Sequence, residues 1–136
     1  MTAYPTPLAV VRAYLDAAYT RHDIAAATSY LAEDLVFDGP FAHCTSAQAF
    51  IPGLTGWAEN VTGLRMIAAF GDNEQALVMY DVITAPYGTL SSASHVIVRN
   101  GKIQVRNGKI QTETLVFDTT AVRTARASQA PDAPAR

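Results

Sequence analysis

The stretch Ser94–Asp118, SHVIVRNGKIQVRNGKIQTETLVFD, carries the same seven residues twice, as Val98–Gln104 and again as Val105–Gln111. Each copy holds an Asn-Gly pair among branched apolar residues, a strong local signal for a β-hairpin. Side chains along a strand alternate faces with a period of two. An odd insertion therefore turns everything downstream to the opposite face unless a loop or bulge absorbs it. Two registers follow. A two-residue Asn-Gly loop sets Arg99 against Lys109, once the insert is discounted, and His95 against Glu113. A three-residue Arg-Asn-Gly loop with glycine in the left-handed region sets Ser94 against Glu113 and sends His95 to the other surface. We expect the second, with one copy forming the turn and the other held as a longer hairpin or looped out. Gly101 and Gly108 offer competing registers.

Around this stretch, GLRMIAAFGD, NEQALVMYDVITA, GTLSSASHVIVR and KIQTETLVFD are rich in branched and aromatic residues and are separated by Gly, Asn, Asp and Pro. They read as four long strands in a meander, joined through FGDNEQ and TAPYGT. Upstream the period changes to that of helices. Leu8, Val11, Tyr14, Leu15, Ala18 and Tyr19 recur at helical spacing, with Thr6 as N-cap and Pro7 in the first turn. Asp23 can cap a second helix, IAAATSYLA, and DLVFDGP reads as a short strand ended by Gly39 and Pro40. Ser46 can cap a third helix, AQAFIPGLTGWAENV, which Pro52 and Gly53 are expected to kink or split. The order predicts an α+β fold with helices on one face of a curved antiparallel sheet. The domain is expected over 7–118, after a short extension 1–6. TTAVRTARASQAPDAPAR, residues 119–136, is rich in Ala, Pro and small polar residues and is expected to be disordered.

Composition narrows the function. The 136 residues are 49% hydrophobic and 16% charged, enough for one core and a ligand cavity. A formal charge of -2 leaves no cationic surplus for a phosphate backbone, so no nucleic-acid partner is expected. Arg12 and Asp16 interrupt the first apolar run, which argues against a signal peptide or membrane span, and a cytoplasmic location is expected. Cys44 is the single cysteine, so no intrachain disulfide forms. His22, His43 and His95 show no metal-ligand spacing, and no phosphate loop, nucleophile elbow or CxxC is present. Neither a metal nor a cofactor is expected.

The order helix, helix, YLAEDLVFDGP, third helix, then strands containing HVIVRNGKI and LVFD resembles the NTF2-like superfamily, in particular its SnoaL-like and ketosteroid-isomerase-like branch, over about residues 7–118. The resemblance implies a cone-shaped α+β barrel, about three N-terminal helices closing a bent sheet around a pocket, and a homodimer through the convex sheet face. That architecture hosts isomerases, cyclases, epoxide hydrolases, dehydratases and proteins without catalysis, so it implies a pocket more firmly than a reaction. It also implies strand phase, with Leu77, Met79, Asp81 and Ile83 turned inward on one strand and Gln111, Glu113, Leu115 and Phe117 on the last. Ser94 stands where the isomerases carry a protonated aspartic acid. The family's general base falls at Gly39, with Asp38 one step earlier, and its phenol falls at Leu15, beside Tyr14. Departures at these three positions argue against a steroid isomerase.

Candidate chemistry centres on Asp81, a carboxylate in the apolar run ALVMYDVI, where it is costly unless solvated or paired. Asp81 and Glu113 in one apolar cavity would serve as base and acid, with Ser94 or Tyr14 donating to an oxyanion and Asp38 at the mouth. The alternative for Asp81 is a solvated or structural carboxylate, and for Asp38 a turn cap. Tyr14, Trp57, Met79, Phe117 and Phe41 are candidate walls for the substrate, although aromatic residues at such spacings also build cores. Two functions follow: a cofactor-independent acid/base enzyme acting on an apolar or cyclic small molecule, or a non-catalytic ligand-binding or dimerisation module.

Overall fold

A computed structural model describes residues 6–99 and 109–129. The chain opens with α1, Pro7–Leu15, where Thr6 Oγ1 accepts the Ala9 N–H at 3.1 Å and Pro7 takes the first turn. Its apolar stripe of Val10, Val11, Tyr14 and Leu15 is buried. A π-turn, Asp16–Thr20, extends the helix and is closed by the Arg21 N–H donating to the Asp16 carbonyl at 2.9 Å. His22 then takes a positive φ of 53° to reverse the chain. Asp23 Oδ1 caps the short α2, Ile24–Thr28, by accepting the Ala26 N–H at 3.0 Å.

Strand β1, Leu31–Asp38, is followed by the two-residue β2, His43–Cys44, and by α3, Ala47–Ala58, capped by Ser46. The expected split of α3 at Pro52 does not occur: the helix runs through it. Gln48, whose carbonyl a proline at position 52 cannot reach, lies on the exposed side together with Pro52 and Gly53, where water can satisfy it.

Strands β3 (Val61–Gly71), β4 (Gln75–Thr84), β5 (Gly88–Arg99) and β6 (Lys109–Phe117) form the expected antiparallel meander. The six-stranded order is β2-β1-β6-β5-β4-β3, with β1 joined parallel to β6. Two tight reversals shape it: Asp72 Oδ1 accepts the Glu74 and Gln75 N–H groups at 2.8 and 2.9 Å, and Gly88 has φ of 73°. The helices pack on one sheet face and enclose Leu35, Val78, Tyr80, Val96 and Ile110. Each large aliphatic side chain buried there contributes about 1.5–3 kcal/mol.

The phase expected for β4 is reversed. Ala76, Val78, Tyr80, Val82 and Thr84 face the helices, whereas Leu77, Met79 and Ile83 are exposed on the outer face. Apolar residues occupy both phases of ALVMYDVI, so hydrophobicity alone sets no direction. Cross-strand partners do, with Tyr80 reaching inward to Ser94 on β5.

On β5 the outcome is mixed. His95 faces outward as expected, its Nε2 lying 2.7 Å from Gln75 Oε1. Ser94 is paired with Leu115, however, and Val96 with Glu113, so Ser94 meets Glu113 diagonally. A register shift between Ile97 and Val98 makes Ile110, not Gln111, the inward neighbour of Glu113. The two hairpin candidates at Gly101 and Gly108 lie outside the described residues.

The segment expected to be a structureless tail instead begins with α4, Thr120–Gln129. Asp118 Oδ1 accepts the Thr120 N–H and hydroxyl at 2.9 and 2.7 Å, and Val122 is fully buried against the domain. A local cap and one apolar anchor hold a helix that lacks a wide hydrophobic face.

Candidate active site

Between α1, the π-turn, α3 and the inner faces of β1 and β6 lies a cavity of about 500 Å³. Its walls are largely aromatic. Phe37 of β1 and Phe50 of α3 have ring centroids 4.4 Å apart. Trp57 of α3 stacks on Phe117 of β6 at 5.6 Å and on Tyr87 at 5.9 Å, while Phe41 meets Phe117 edge-on at 6.0 Å. Gly53 and Gly56 also line the space, and a β-carbon on either would meet nothing within 4 Å. The volume therefore owes something to side chains that are missing from α3.

Glu113 is the one carboxyl among the described residues of this wall, and it is only 3% exposed. β6 places it inward because Ile110 and Leu115 share its side of the strand while Thr112, Thr114 and Val116 take the other. Ser94 Oγ donates to Glu113 Oε2 at 3.2 Å, and Tyr80 OH lies 2.7 Å from Ser94 Oγ. A serine hydroxyl has one proton to give, so the Tyr80 hydroxyl must donate to Ser94. The buried Tyr14 phenol stands near the carboxyl and favours its charged form. Oε1, in contrast, is buried and has no protein partner among the described residues.

Burial pushes the Glu113 carboxyl up to about 7, against the pull of the Ser94 hydroxyl and the nearby Tyr14 phenol. The same burial, reinforced by the neighbouring carboxylate charge and by adjacent phenols, holds Tyr14 and Tyr19 well above the usual phenol range. Both therefore stay O–H donors at neutral pH. Tyr19 joins the cavity through the π-turn, whose wider winding brings it nearer the face of Tyr14 than a regular 3.6-residue period would.

The structure brings together Glu113, Ser94, Tyr14, Trp57, Phe41 and Phe117 among the residues singled out from sequence, with Ser94 just behind the wall. It does not bring Asp81, Met79 or Asp38 to them. Asp81 lies on the outer sheet face, paired to Arg65 Nη2 at 2.5 Å and accepting the Ser91 hydroxyl at 3.0 Å. Those bonds hold its carboxyl below the usual range, the reverse of what a base in a dry cavity needs. Its low exposure comes from coverage by its partners, since the Arg65 side chain is itself 72% exposed. Met79 shares this outer face. Asp38 follows the inward Phe37, so alternation turns it to solvent, where it pairs with His43. Among the described residues no three metal-ligating side chains gather, and no helix is long and apolar enough to cross a membrane.

With this geometry defined, comparison with known proteins places the chain. The family profile described as SnoaL-like domain matches residues 11–110. The chain belongs to the SnoaL-like domain family. Among solved structures, this SnoaL-like domain is similar to a protein from Kribbella flavida DSM 17836, with 28% identity and a TM-score of 0.81 over 91% of this chain and 96% of that one. An NTF2-like protein of unknown function from Cytophaga hutchinsonii ATCC 33406 matches at 17% identity and TM-score 0.69, covering 90% and 99% of the two chains. A ketosteroid isomerase-like protein from Erwinia carotovora atroseptica SCRI1043 matches at 15% and 0.61, covering 82% and 93%. No curated protein matches the sequence significantly. The NTF2-like α+β fold and the SnoaL-like branch expected from the helix–strand order both hold.

Proposed function

We propose that this SnoaL-like domain is a cofactor-independent acid/base enzyme acting on an apolar, cyclic organic molecule, with Glu113 as the group that moves the proton. One observation carries the reading: a carboxyl buried in an aromatic cavity keeps one oxygen without a protein partner among the described residues. A structural carboxyl would satisfy both oxygens, because an unpaired buried acceptor costs about 1–3 kcal/mol. With Ser94 holding Oε2, Oε1 is the oxygen left for a substrate C–H. Ionised Glu113 takes the proton, the electron pair of the broken bond moves onto the substrate oxygen, and the Tyr14 or Tyr19 phenol donates to it. Neutral Glu113 then returns the proton. Carbon-detected NMR titration of the carboxyl groups tests the premise. Glu113 should titrate near 7, and a midpoint at the ordinary 4.5 would remove it as an acid/base at neutral pH.

The outer sheet face supports a second element of the reading, a homodimer. Phe70 and Val116 are 70% and 57% exposed there, alongside Ile67, Leu77, Met79 and Ile83. The Arg65–Asp81 pair on the same face is mutually neutralised. Such a contiguous apolar face suits a second copy of itself. Sedimentation equilibrium should give a dimer that Phe70→Glu converts to monomer. A monomeric wild type would overturn this element and leave the cavity untouched.

A further inference from the structure

We propose that the mouth of the cavity is built to hold the anionic end of an amphiphilic substrate, with Arg126 of α4 as the side chain that selects it. The inference rests on the cavity being the substrate site and names what that substrate carries.

Arg126 is the one cation among the described residues lining the cavity, and its guanidinium carbon lies 4.5 Å from the centroid of the Phe41 ring. Arg123 lies over the same ring at 5.8 Å, but its Nε is engaged by the Thr119 hydroxyl oxygen at 2.8 Å. Phe41 is the outer member of the aromatic series that runs through Phe117 to Trp57. A guanidinium stacked on an aromatic face keeps its N–H donors in its own plane, pointing past the ring edge, where they suit a carboxylate or sulfonate. Among the described residues no carboxylate pairs with Arg126.

The rest of the cavity fixes the direction in which such a molecule lies. Glu113 cannot share its dry surroundings with a second negative group, since two like charges in low dielectric repel strongly. A substrate anion is thus refused at the Glu113 end and accepted at the Arg126 end. Its apolar body lies along Trp57 and Phe117, with the reacting carbon at Glu113. α4 is held firmly enough for this role by the Asp118 cap and by Val122, which is fully buried.

Two fluorescent probes that differ by one charge test it: 8-anilinonaphthalene-1-sulfonate and the neutral N-phenyl-1-naphthylamine. Gly56→Phe, which places a ring in the cavity, defines by difference the binding that occurs inside it. For that component we expect Arg126→Gln to weaken the sulfonate probe about tenfold, to leave the neutral probe within twofold, and Arg126→Lys to recover part of the loss. Equal effects of Arg126→Gln on both probes, or none on either, would overturn the selective role while leaving the cavity a binding site. If Gly56→Phe removes no binding of either probe, the cavity is not a ligand site, and both this inference and the proposed function fall.

Discussion

Replacing Glu113 with glutamine is expected to lower kcat/KM by about 10²–10⁴-fold on any cyclic ketone, ester or epoxide the wild type turns over, the range spanned by loss of a positioned general acid/base. The amide keeps the shape and can still accept from Ser94, but it cannot take or give a proton. Asp81→Asn, on the opposite sheet face, should leave turnover within twofold, because the paired Arg65 and Ser91 lie outside the cavity with it. Ser94→Ala should fall between the two. Losing the 3.2 Å bond to Oε2 removes an orienting donor that favours the ionised carboxyl and so moves the acidic limb of the pH–rate profile to higher pH, whereas a merely structural serine would leave that profile in place. Full activity in Glu113→Gln would remove the proposed proton carrier. Loss of activity in Asp81→Asn with an unchanged fold would return the chemistry to the outer face.

The element order was legible because the periods differ clearly: helical spacing through Tyr19, then branched and aromatic runs after Leu64. Caps at Thr6, Asp23 and Ser46 were legible because each is a short polar side chain placed just before a helix. The inward phase that the resemblance implies for β6 holds for Glu113, Leu115 and Phe117, with Thr114 and Val116 between them on the other face. The phase of β4 was not legible, because Leu77, Met79 and Ile83 are as apolar as Val78, Tyr80 and Val82. A sheet whose second face is also greasy loses the contrast that fixes direction. Asp81 misled for the same reason. A carboxylate in an apolar run signals a special environment without saying which one, and here a cross-strand arginine at the paired position Arg65 supplies it. Tyr19 stands on the helical stripe in the sequence, but spacing shows only which face is buried and not which part of that face borders a cavity. Arg126 went unnoticed because α4 depends on one buried valine and a cap, too little to stand out from an Ala-rich segment.

The burial that equips Glu113 for proton transfer should also make the folded chain less stable as the pH rises. Its carboxyl is held near 7 in the folded state against an ordinary value of 4.5, so between those values the native chain retains a proton that the unfolded chain has lost. Stability falls with pH wherever the folded state binds more protons. The contribution is fully present below pH 4.5 and is lost as pH climbs through 7. A shift of this size corresponds to about 3 kcal/mol at the alkaline limit, from about 1.4 kcal/mol per unit. The lowered carboxyls of Asp72, Asp81 and Asp118 act in the opposite sense, but only below the ordinary carboxylate range, where they lose their charge. Urea unfolding at half-unit steps from pH 5 to 8 should therefore show a steady decline in the wild type. Glu113→Gln, which has no proton to lose, should flatten it, so that the inactive variant becomes the more stable of the two at pH 8. Parallel curves for the two proteins would mean that Glu113 titrates alike in the folded and unfolded chains. The carboxyl would then be hydrated in the native state and unable to hold a proton at neutral pH.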